Sequence, residues 1–176
     1  ILEKKINFDK ELSVIIARNK LGNVVCYEPG ENEHQNGILK KTTIPSNISA
    51  SIKHQAILIS GKLVNSLEYI GVMGIEFFLK NNNLYLNEMA PRVHNTGHWT
   101  QDSCLVDQFE QHIRSICDLP LGDGKRYADI EMINLLGNEI KNISKYKDYS
   151  IHIYGKKEIK PNRKMGHVNI IKKGVL

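Results

Sequence analysis

Residues 74–89 read GIEFFLKNNNLYLNEM, two apolar runs separated by three asparagines. Aromatic and branched side chains favour strands, and asparagine tolerates the positive φ angles that tight turns require. The stretch therefore predicts an antiparallel hairpin whose strands cover residues 69–79 and 84–89. Glu76 and Glu88 stand out in this hairpin, because each places a carboxylate inside an otherwise apolar strand.

The positions of these two glutamates indicate a metal site. In a hairpin that turns symmetrically about Asn82, Glu76 lies directly opposite Glu88, with Cβ atoms about 4.5–5.5 Å apart. Two carboxylates at that distance repel each other unless a cation lies between them, and carboxylate oxygens beside the Asn87 amide suit Mg²⁺. Two alternatives stay open. In one, the glutamates face water on a half-exposed sheet; in the other, a two-residue turn offsets the pair diagonally.

Upstream of the hairpin, apolar and β-branched runs predict strands over residues 12–17, 23–27 and 38–44. A helix follows, with its N-cap predicted at Ser46 or Asn47. Its apolar positions recur at helical spacing and are Ile48, Ile52, Ile59, Leu63 and Leu67.

Downstream of the hairpin, a second helix is predicted to begin near Thr100 or Asp102. Its apolar positions are Leu105, Val106, Phe109, Ile113 and Ile116. The segment PLGDG, residues 120–124, is the clearest linker, and three further strands are predicted beyond it, over residues 130–136, 151–154 and 167–171. The pattern predicts an α+β fold: residues 1–119 form a mainly antiparallel sheet with flanking helices, and residues 120–176 form a smaller β-rich lobe.

The loop APRVHNTGHWT, residues 90–100, concentrates polar side chains between the hairpin and the second helix. The planar fork of Arg92, with amide and imidazole donors beside it, suits a small oxyanion, and the following helix N-terminus adds positive potential. A purely structural loop is the next interpretation. The His94–His98 spacing also matches a zinc pair on a helix, but Gly97 and the loop composition favour a non-helical segment.

The composition is that of an ordinary globular protein, 41% hydrophobic and 24% charged. The net charge of +5 is spread thinly and aromatics are only 7%, which disfavours a nucleic-acid partner; basic pairs such as Lys156-Lys157 suit small phosphates equally well, or face solvent. The apolar runs are too short to cross a bilayer, and residues 1–8 lack a signal-peptide pattern. We therefore expect a cytoplasmic protein with neither a membrane nor a nucleic-acid partner.

Several segments together resemble the 5-(carboxyamino)imidazole ribonucleotide synthase family of the ATP-grasp superfamily. They are GIEFF, NEMAPRVHNTGHWT, DQFEQHIRSICDLPLGD and YGKKEIKPNRKMGHVNII, with LEKKINFDKELSVIIAR and ENEHQNGIL fitting as well. The resemblance covers nearly the whole chain and implies an ATP-grasp C-terminal subdomain followed by a small lobe. It also implies a reaction: ATP phosphorylates bicarbonate, and the resulting carboxyphosphate delivers CO₂ to the exocyclic amine of aminoimidazole ribonucleotide.

The resemblance further implies a role for each matching residue on the nucleotide side. The hinge whose backbone meets adenine is Glu3, Lys4, Lys5 and Ile6. Glu11 takes the ribose hydroxyls of ATP, and His34 belongs to the same site. Glu76 and Glu88, with Asn87, hold Mg²⁺ and the phosphates.

On the substrate side, the resemblance assigns Arg92, His94 and Asn95 to the pocket for bicarbonate and carboxyphosphate. It assigns Lys156 and Arg163 to the phosphate of the ribonucleotide. Members of the family are typically homodimers, so the full-length enzyme is expected to be one.

Two alternative functions remain. Another ATP-grasp enzyme, such as a formate-dependent ribonucleotide transformylase, would share the two glutamates but not the HNTGHWT loop. A non-catalytic folded fragment is the second alternative. The matched segments do not include the family's N-terminal domain or the glycine-rich loop that covers the ATP phosphates. We therefore predict that the 176-residue chain alone has no ligase turnover.

Overall fold

The computed structural model describes residue 2 and residues 4–174. Within this range the strands are β1 (Lys10–Arg18), β2 (Val24–Cys26), β3 (Gly30–Gln35), β4 (Ile38–Ile44), β5 (Gly71–Lys80), β6 (Asn83–Ala90), β7 (Ala128–Leu136), β8 (Ser150–Ile153) and β9 (Lys164–Gly174). The α-helices are α1 (Ala50–Ser66) and α2 (Gln108–Ile116), and 3₁₀ segments cover Asn95–Asp102 and Gly137–Tyr146. The strands form one antiparallel sheet in the order β6-β5-β1-β3-β4-β7-β9-β8, with β2 paired to one end of β1.

Strand β1 lies in the middle of the core and is covered on both faces. Leu12 and Val14 pack in the cluster beneath α1, whereas Ile15 and Ala17 belong to the cluster around Trp99 on the opposite face. A strand that is buried on both sides needs no polar alternation, which explains the apolar run over residues 14–17.

Both helices begin later than the sequence pattern predicted. The hydroxyl of Ser49 accepts a hydrogen bond from the backbone N–H of Ile52 at 3.3 Å and caps α1. The carboxylate of Asp107 accepts from the N–H groups of Phe109 and Glu110 at 2.7 and 2.9 Å and caps α2. These side chains satisfy backbone donors that the first turn leaves free, so the helices start there and not at the earlier polar residues.

Helix α2 buries its polar face. Gln108 and Gln111 are fully buried, while Phe109, Ile113 and Ile116 are 38–52% exposed. The apolar spacing located the helix correctly but did not mark the side that packs on the sheet.

Strand β3 was not predicted, because its sequence GENEHQ carries no apolar pattern. It is placed by backbone pairing with β1 on one side and β4 on the other.

The sheet continues across the predicted linker, because β4 pairs directly with β7. The predicted strands beyond the linker are present, and the predicted α+β architecture of an antiparallel sheet with flanking helices is confirmed. The division into residues 1–119 and 120–176 stays a prediction. Among the described residues, no helix combines the length and apolarity needed to cross a bilayer.

Candidate functional site

The hairpin of β5 and β6 brings the two glutamates opposite each other by an unpredicted route. Its turn has two residues, Asn81 and Asn82, both with positive φ, and not the symmetric bend that was predicted. The register then shifts between Glu76 and Phe77, so that β6 contains one extra residue, Asn87, at a β-bulge. The bulge compensates for the shorter turn, and the predicted Glu76–Glu88 pairing is confirmed.

A polar cleft of about 290 Å³ opens over this pair. It is lined by Glu11, His34, Gly37, Leu39, Glu76, Asn87, Glu88, His94, Thr96 and Lys164. Strands from both sides of the sheet centre contribute to it, together with the loop after β6.

His94 meets both carboxylates. Its Nδ1 lies 3.7 Å from an Oε1 of Glu76, and its Nε2 lies 3.7 Å from Oε1 of Glu88. The imidazole fits here because Gly74, two residues before Glu76 on β5, has no side chain; a Cβ at this position would lie 2.5 Å from Cβ of His94. Nδ1 also contacts the hydroxyl oxygen of Thr96 at 2.9 Å.

The electrostatics of the cleft favour a cation between the glutamates. Burial raises the pKa of Glu76, and the nearby carboxylate of Glu88 raises it further. Burial lowers the pKa of His94 to about 4, so the ring is neutral near pH 7 and does not offset the carboxylate charges. One donor atom from each of Glu76, Glu88 and His94 lies within 4.8 Å of the others.

The oxygen donors of this cluster fit a hard divalent ion. Mg²⁺ takes carboxylate and amide oxygens, which Glu76, Glu88 and Asn87 supply, whereas an imidazole nitrogen suits transition metals better. His98, which was weighed as a zinc partner of His94, is absent from the donor cluster formed by the described residues. Its Nδ1 instead faces the amide of Gln108, and the segment Asn95–Asp102 is a 3₁₀ helix, not the non-helical loop that was predicted.

Lys164 supplies positive charge to the cleft and was missed in the sequence analysis. It lies at the start of β9, immediately after Arg163, and is half-buried. Burial lowers the pKa of Lys164, and the neighbouring charges of Arg92 and Lys156 lower it further, while Glu76 and Glu88 act in the opposite direction. The only signal in the sequence was its place in a basic segment, from which its inward direction could not be read.

The other predicted anion ligands lie around the cleft and do not line it. Arg92 is exposed, and its Nη1 donates to the carbonyl of Val93 at 2.9 Å. The amide of Asn95 forms a reciprocal pair with that of Asn134, at 2.8 and 2.9 Å. Among Arg92, His94 and Asn95, the structure brings His94 alone into direct contact with the carboxylates.

Lys156 and Arg163 adjoin Lys164 and do not line the cleft. The ammonium of Lys156 donates to the backbone carbonyl of Lys164 at 2.6 Å, and Arg163 donates to the carbonyl of Glu158 at 3.2 Å. Both hydrogen bonds are exposed to solvent; Lys156 is an exposed residue and Arg163 is half-buried.

The predicted adenine hinge borders a second cleft. Lys4, Lys5 and Ile6 line it together with Phe8, Phe78, Leu86 and Asn87. The rings of Phe8 and Phe78 stack at 4.5 Å, and Asn87 lines both clefts. Glu3, the remaining hinge residue, lies outside the described residues.

Glu11 and His34 form one unit at the edge of the first cleft. Nδ1 of His34 lies 2.5 Å from a carboxylate oxygen of Glu11, across the neighbouring strands β1 and β3. The predicted nucleotide residues are therefore adjacent in space, although twenty-two residues separate them in the sequence.

Comparison with known families decides the superfamily. Residues 1–109 match the ATP-grasp domain, and residues 131–175 match the phosphoribosylaminoimidazole carboxylase C-terminal domain. The chain belongs to the ATP-grasp family.

Several relatives of this ATP-grasp chain are described as N5-carboxyaminoimidazole ribonucleotide synthases. The N5-carboxyaminoimidazole ribonucleotide synthase of Brucella melitensis is 47% identical over 98% of the chain and 49% of its own length. A crystal structure of an N5-carboxyaminoimidazole ribonucleotide synthetase in complex with ADP is 40% identical, with a TM-score of 0.93 over 97% of this chain and 46% of that one. An Aspergillus clavatus synthase in complex with ADP and 5-aminoimidazole ribonucleotide is 32% identical, with a TM-score of 0.89 over 94% of this chain and 47% of that one. The chain spans about half the length of the curated relatives it matches.

The repulsion inside this ATP-grasp site predicts an effect on stability. In the metal-free protein, we expect Glu76→Gln to raise the thermal unfolding temperature at pH 7. The native pKa of Glu76 is raised above its ordinary value of 4.5, so its charge destabilises the fold. The free energy of unfolding therefore falls as the pH rises from that value through the raised native pKa, and the loss is complete above it.

Thermal unfolding in a chelator, followed between pH 4 and pH 8, measures this effect. The advantage of Glu76→Gln over the wild type should grow as the pH rises. Glu131→Gln is the control, because Glu131 is a strand carboxylate that is paired with Lys172 at 2.9 Å. A variant at Glu76 that is less stable than the wild type at pH 7 would show that the charge is compensated without a metal.

Proposed function

We propose that this chain is part of an N5-carboxyaminoimidazole ribonucleotide synthase, an ATP-dependent carbon–nitrogen ligase of purine biosynthesis. One observation carries the proposal most directly: in a single cleft, the acidic pair Glu76 and Glu88 adjoins His94 and Lys164. Such a site can hold a metal–phosphate group on one side and a small anion on the other. The relatives named above, which match almost the whole chain, support the same function.

ATP would lie across the two clefts that meet at Asn87. The hinge residues Lys4, Lys5 and Ile6 would meet the adenine, next to the stacked rings of Phe8 and Phe78. The carboxylate of Glu11 would accept the ribose hydroxyls, and its contact with His34 keeps it in place. Glu3 carries its hinge role from the sequence resemblance alone.

The phosphate end would lie over the paired glutamates. Glu76, Glu88 and the Asn87 amide would hold Mg²⁺, which neutralises charge on the phosphates when bound. Glu76 is the more deeply buried of the two carboxylates, with 13% of its side chain exposed against 56% for Glu88. Glu76 would therefore fix the ion, and Glu88 would remain open towards the nucleotide.

The bicarbonate pocket would be formed by Arg92, His94, Asn95 and Lys164. A bicarbonate oxygen attacks the terminal phosphorus of ATP, the bond from that phosphorus to the ADP oxygen breaks, and carboxyphosphate and ADP result. Carboxyphosphate then releases phosphate as its carbon is transferred to the exocyclic amine, which loses a proton. Lys164 and Arg92 would stabilise the negative charge of the carboxyphosphate by oriented N–H donors.

Lys156 and Arg163 would bind the phosphate of aminoimidazole ribonucleotide. Lys156 contacts the backbone of Lys164, Arg163 precedes Lys164 in the chain, and the hydrogen bonds of both are exposed to solvent. The two basic groups therefore extend the anion pocket outward, in the direction from which a second substrate would enter. We further propose that the full-length enzyme is a cytoplasmic homodimer.

Product formation by the full-length protein tests this function. With ATP, Mg²⁺, aminoimidazole ribonucleotide and labelled bicarbonate, we expect ADP release that depends on both bicarbonate and the ribonucleotide, with label in the product. Formate in place of bicarbonate should support no turnover, and the 176-residue chain alone should be inactive. Formate-dependent ADP release without bicarbonate incorporation would assign the protein to the transformylase class.

A further inference from the structure

Helix α2 buries two amides that need partners. Gln108 and Gln111 are both fully buried and lie one turn apart on the helix face that packs against the sheet. A buried amide is costly unless it is hydrogen-bonded, so the partners of each amide show what holds it in place.

The amide of Gln108 forms two hydrogen bonds with the backbone of His94. Its Oε1 accepts from the N–H of His94 at 2.9 Å, and its Nε2 donates to the carbonyl of the same residue at 2.8 Å. A backbone N–H can only donate and a carbonyl can only accept, so these two partners fix the orientation of the amide. The second hydrogen of Nε2 is directed to Nδ1 of His98, at 2.9 Å. We call the two bonds to His94 the amide clamp.

The amide clamp replaces a strand partner. β6 ends at Ala90, and His94 lies beyond it, where the β5 ladder no longer fixes the backbone. Gln108 satisfies both backbone groups of this one residue, as a neighbouring strand would. Gly97 permits this contact, because a Cβ at that position would lie 2.7 Å from Oε1 of Gln108.

The clamp holds the backbone that carries the His94 ring, and the hydroxyl of Thr96 contacts the ring itself. With the backbone held by Gln108, the ring lies over Gly74, with its two nitrogens 3.7 Å from Glu76 and Glu88. Gln108 itself does not line the cleft, and of the two histidines that its amide contacts, His94 lines the cleft and His98 does not. The direct route from Gln108 to the cleft is therefore His94.

We propose that Gln108 is a positioning residue, which holds His94 in place beside the two carboxylates and thereby sets the affinity of the cleft for bicarbonate and carboxyphosphate. This inference rests on the proposed function. It predicts that loss of the clamp impairs use of the anion while leaving nucleotide binding intact, because the metal ligands lie on the hairpin and not on the clamped loop.

Gln111 provides a matched control on the same helix. Its amide makes the same pair of bonds to the backbone of Gly122: Oε1 accepts from the N–H at 2.9 Å, and Nε2 donates to the carbonyl at 2.8 Å. Methionine has nearly the same length and no amide. Gln108→Met and Gln111→Met therefore each remove one buried backbone clamp, and only the former removes it from His94.

The two variants are compared in the full-length protein. We expect Gln108→Met to lower kcat/KM for bicarbonate by about 10–100-fold, taking as the scale the effect of removing a group that orients a metal ligand. The Kd for Mg²⁺–ADP should stay at the wild-type value, and Gln111→Met should resemble the wild type in both measurements. Two results would overturn the inference and leave Gln108 with a structural role only. One is an equal fall of kcat/KM for bicarbonate in Gln108→Met and Gln111→Met; the other is a loss of Mg²⁺–ADP affinity in Gln108→Met as large as its loss of kcat/KM.

Two further arms keep the test decisive. If Gln108→Met does not fold, Gln108→Glu keeps the length and the acceptor for the His94 N–H but removes both donors, and Gln111→Glu is its control. The second arm uses NMR of the protein with labelled histidine, in which the His94 ring signals are assigned from their absence in His94→Gln. These signals should shift in the Gln108 variant and not in the Gln111 variant. If the wild type carboxylates nothing, the proposed function fails, and the ring signals still decide whether Gln108 positions His94.

Discussion

Replacing Glu88 by glutamine should weaken the binding of Mg²⁺–ADP to the full-length protein by at least about 100-fold. Losing a group that only hydrogen-bonds to a metal ligand costs about 10–100-fold, and losing the ligand itself should cost at least as much. The substitution keeps the shape of the side chain and one oxygen, and removes one negative charge opposite Glu76. The remaining carboxylate would then face the cation without its partner. Isothermal titration of Mg²⁺–ADP, with and without the metal, measures the change.

The control for this experiment is Glu131→Gln, which neutralises another strand carboxylate whose partner is Lys172. It should bind Mg²⁺–ADP as the wild type does. The metal-free variant at Glu88 should also be folded and no less stable than the wild type, because the substitution relieves the repulsion that raises the pKa of Glu76. If Glu88→Gln bound Mg²⁺–ADP with unchanged affinity, the proposal that Glu76 and Glu88 together hold the metal would be wrong.

Replacing Lys164 by methionine should lower kcat/KM for bicarbonate by about 100-fold or more, the range observed when one preorganised donor to a developing anion is lost. Methionine keeps the unbranched shape of the side chain and removes the ammonium. Lys164 is half-buried, so its charge acts in a less screened environment than a surface lysine has. Initial rates at varied bicarbonate, with ATP saturating, measure the loss.

Lys172→Met is the matched control, because Lys172 lies on the same strand and forms an ordinary ion pair with Glu131. Its rates should equal those of the wild type. In Lys164→Met, the Kd for Mg²⁺–ADP should not weaken, since the lost charge has the same sign as the metal. Wild-type use of bicarbonate by Lys164→Met would exclude this lysine from the anion pocket.

The hairpin shows how a correct pairing can arise from a different local structure. The sequence pattern predicted two strands and a turn at the asparagines, and it placed Glu76 opposite Glu88. It assumed a symmetric turn, whereas the turn has two residues and the bulge at Asn87 restores the register. A bulge carries little signal in a single sequence, because it depends on which residues the opposing strand and the layers around it can accept.

Helix α2 and Lys164 show where pattern reasoning stops. Apolar spacing located the helix, yet its buried face is formed by Gln108, Gln111 and Ser115. The two glutamines are held by hydrogen bonds to backbone groups outside the helix, and Ser115 donates to the carbonyl of Gln111 within it. Likewise, Lys164 lines the cleft, whereas Lys156 and Arg163 do not. Within a basic segment, the direction of each side chain is set by the strand that the segment joins.

The sequence by itself located most of the strands and both α-helices, though not where the helices begin, together with the antiparallel hairpin and the concentration of polar groups after it. It could do so because these features depend on side-chain type and short spacing. Only the tertiary structure decided that β3 completes the sheet, that Lys164 and His34 reach the cleft of Glu76 and Glu88, and that Gln108 holds His94. Those contacts join residues far apart in the chain, and they form only when backbone pairing and the burial of both sheet faces bring the segments together.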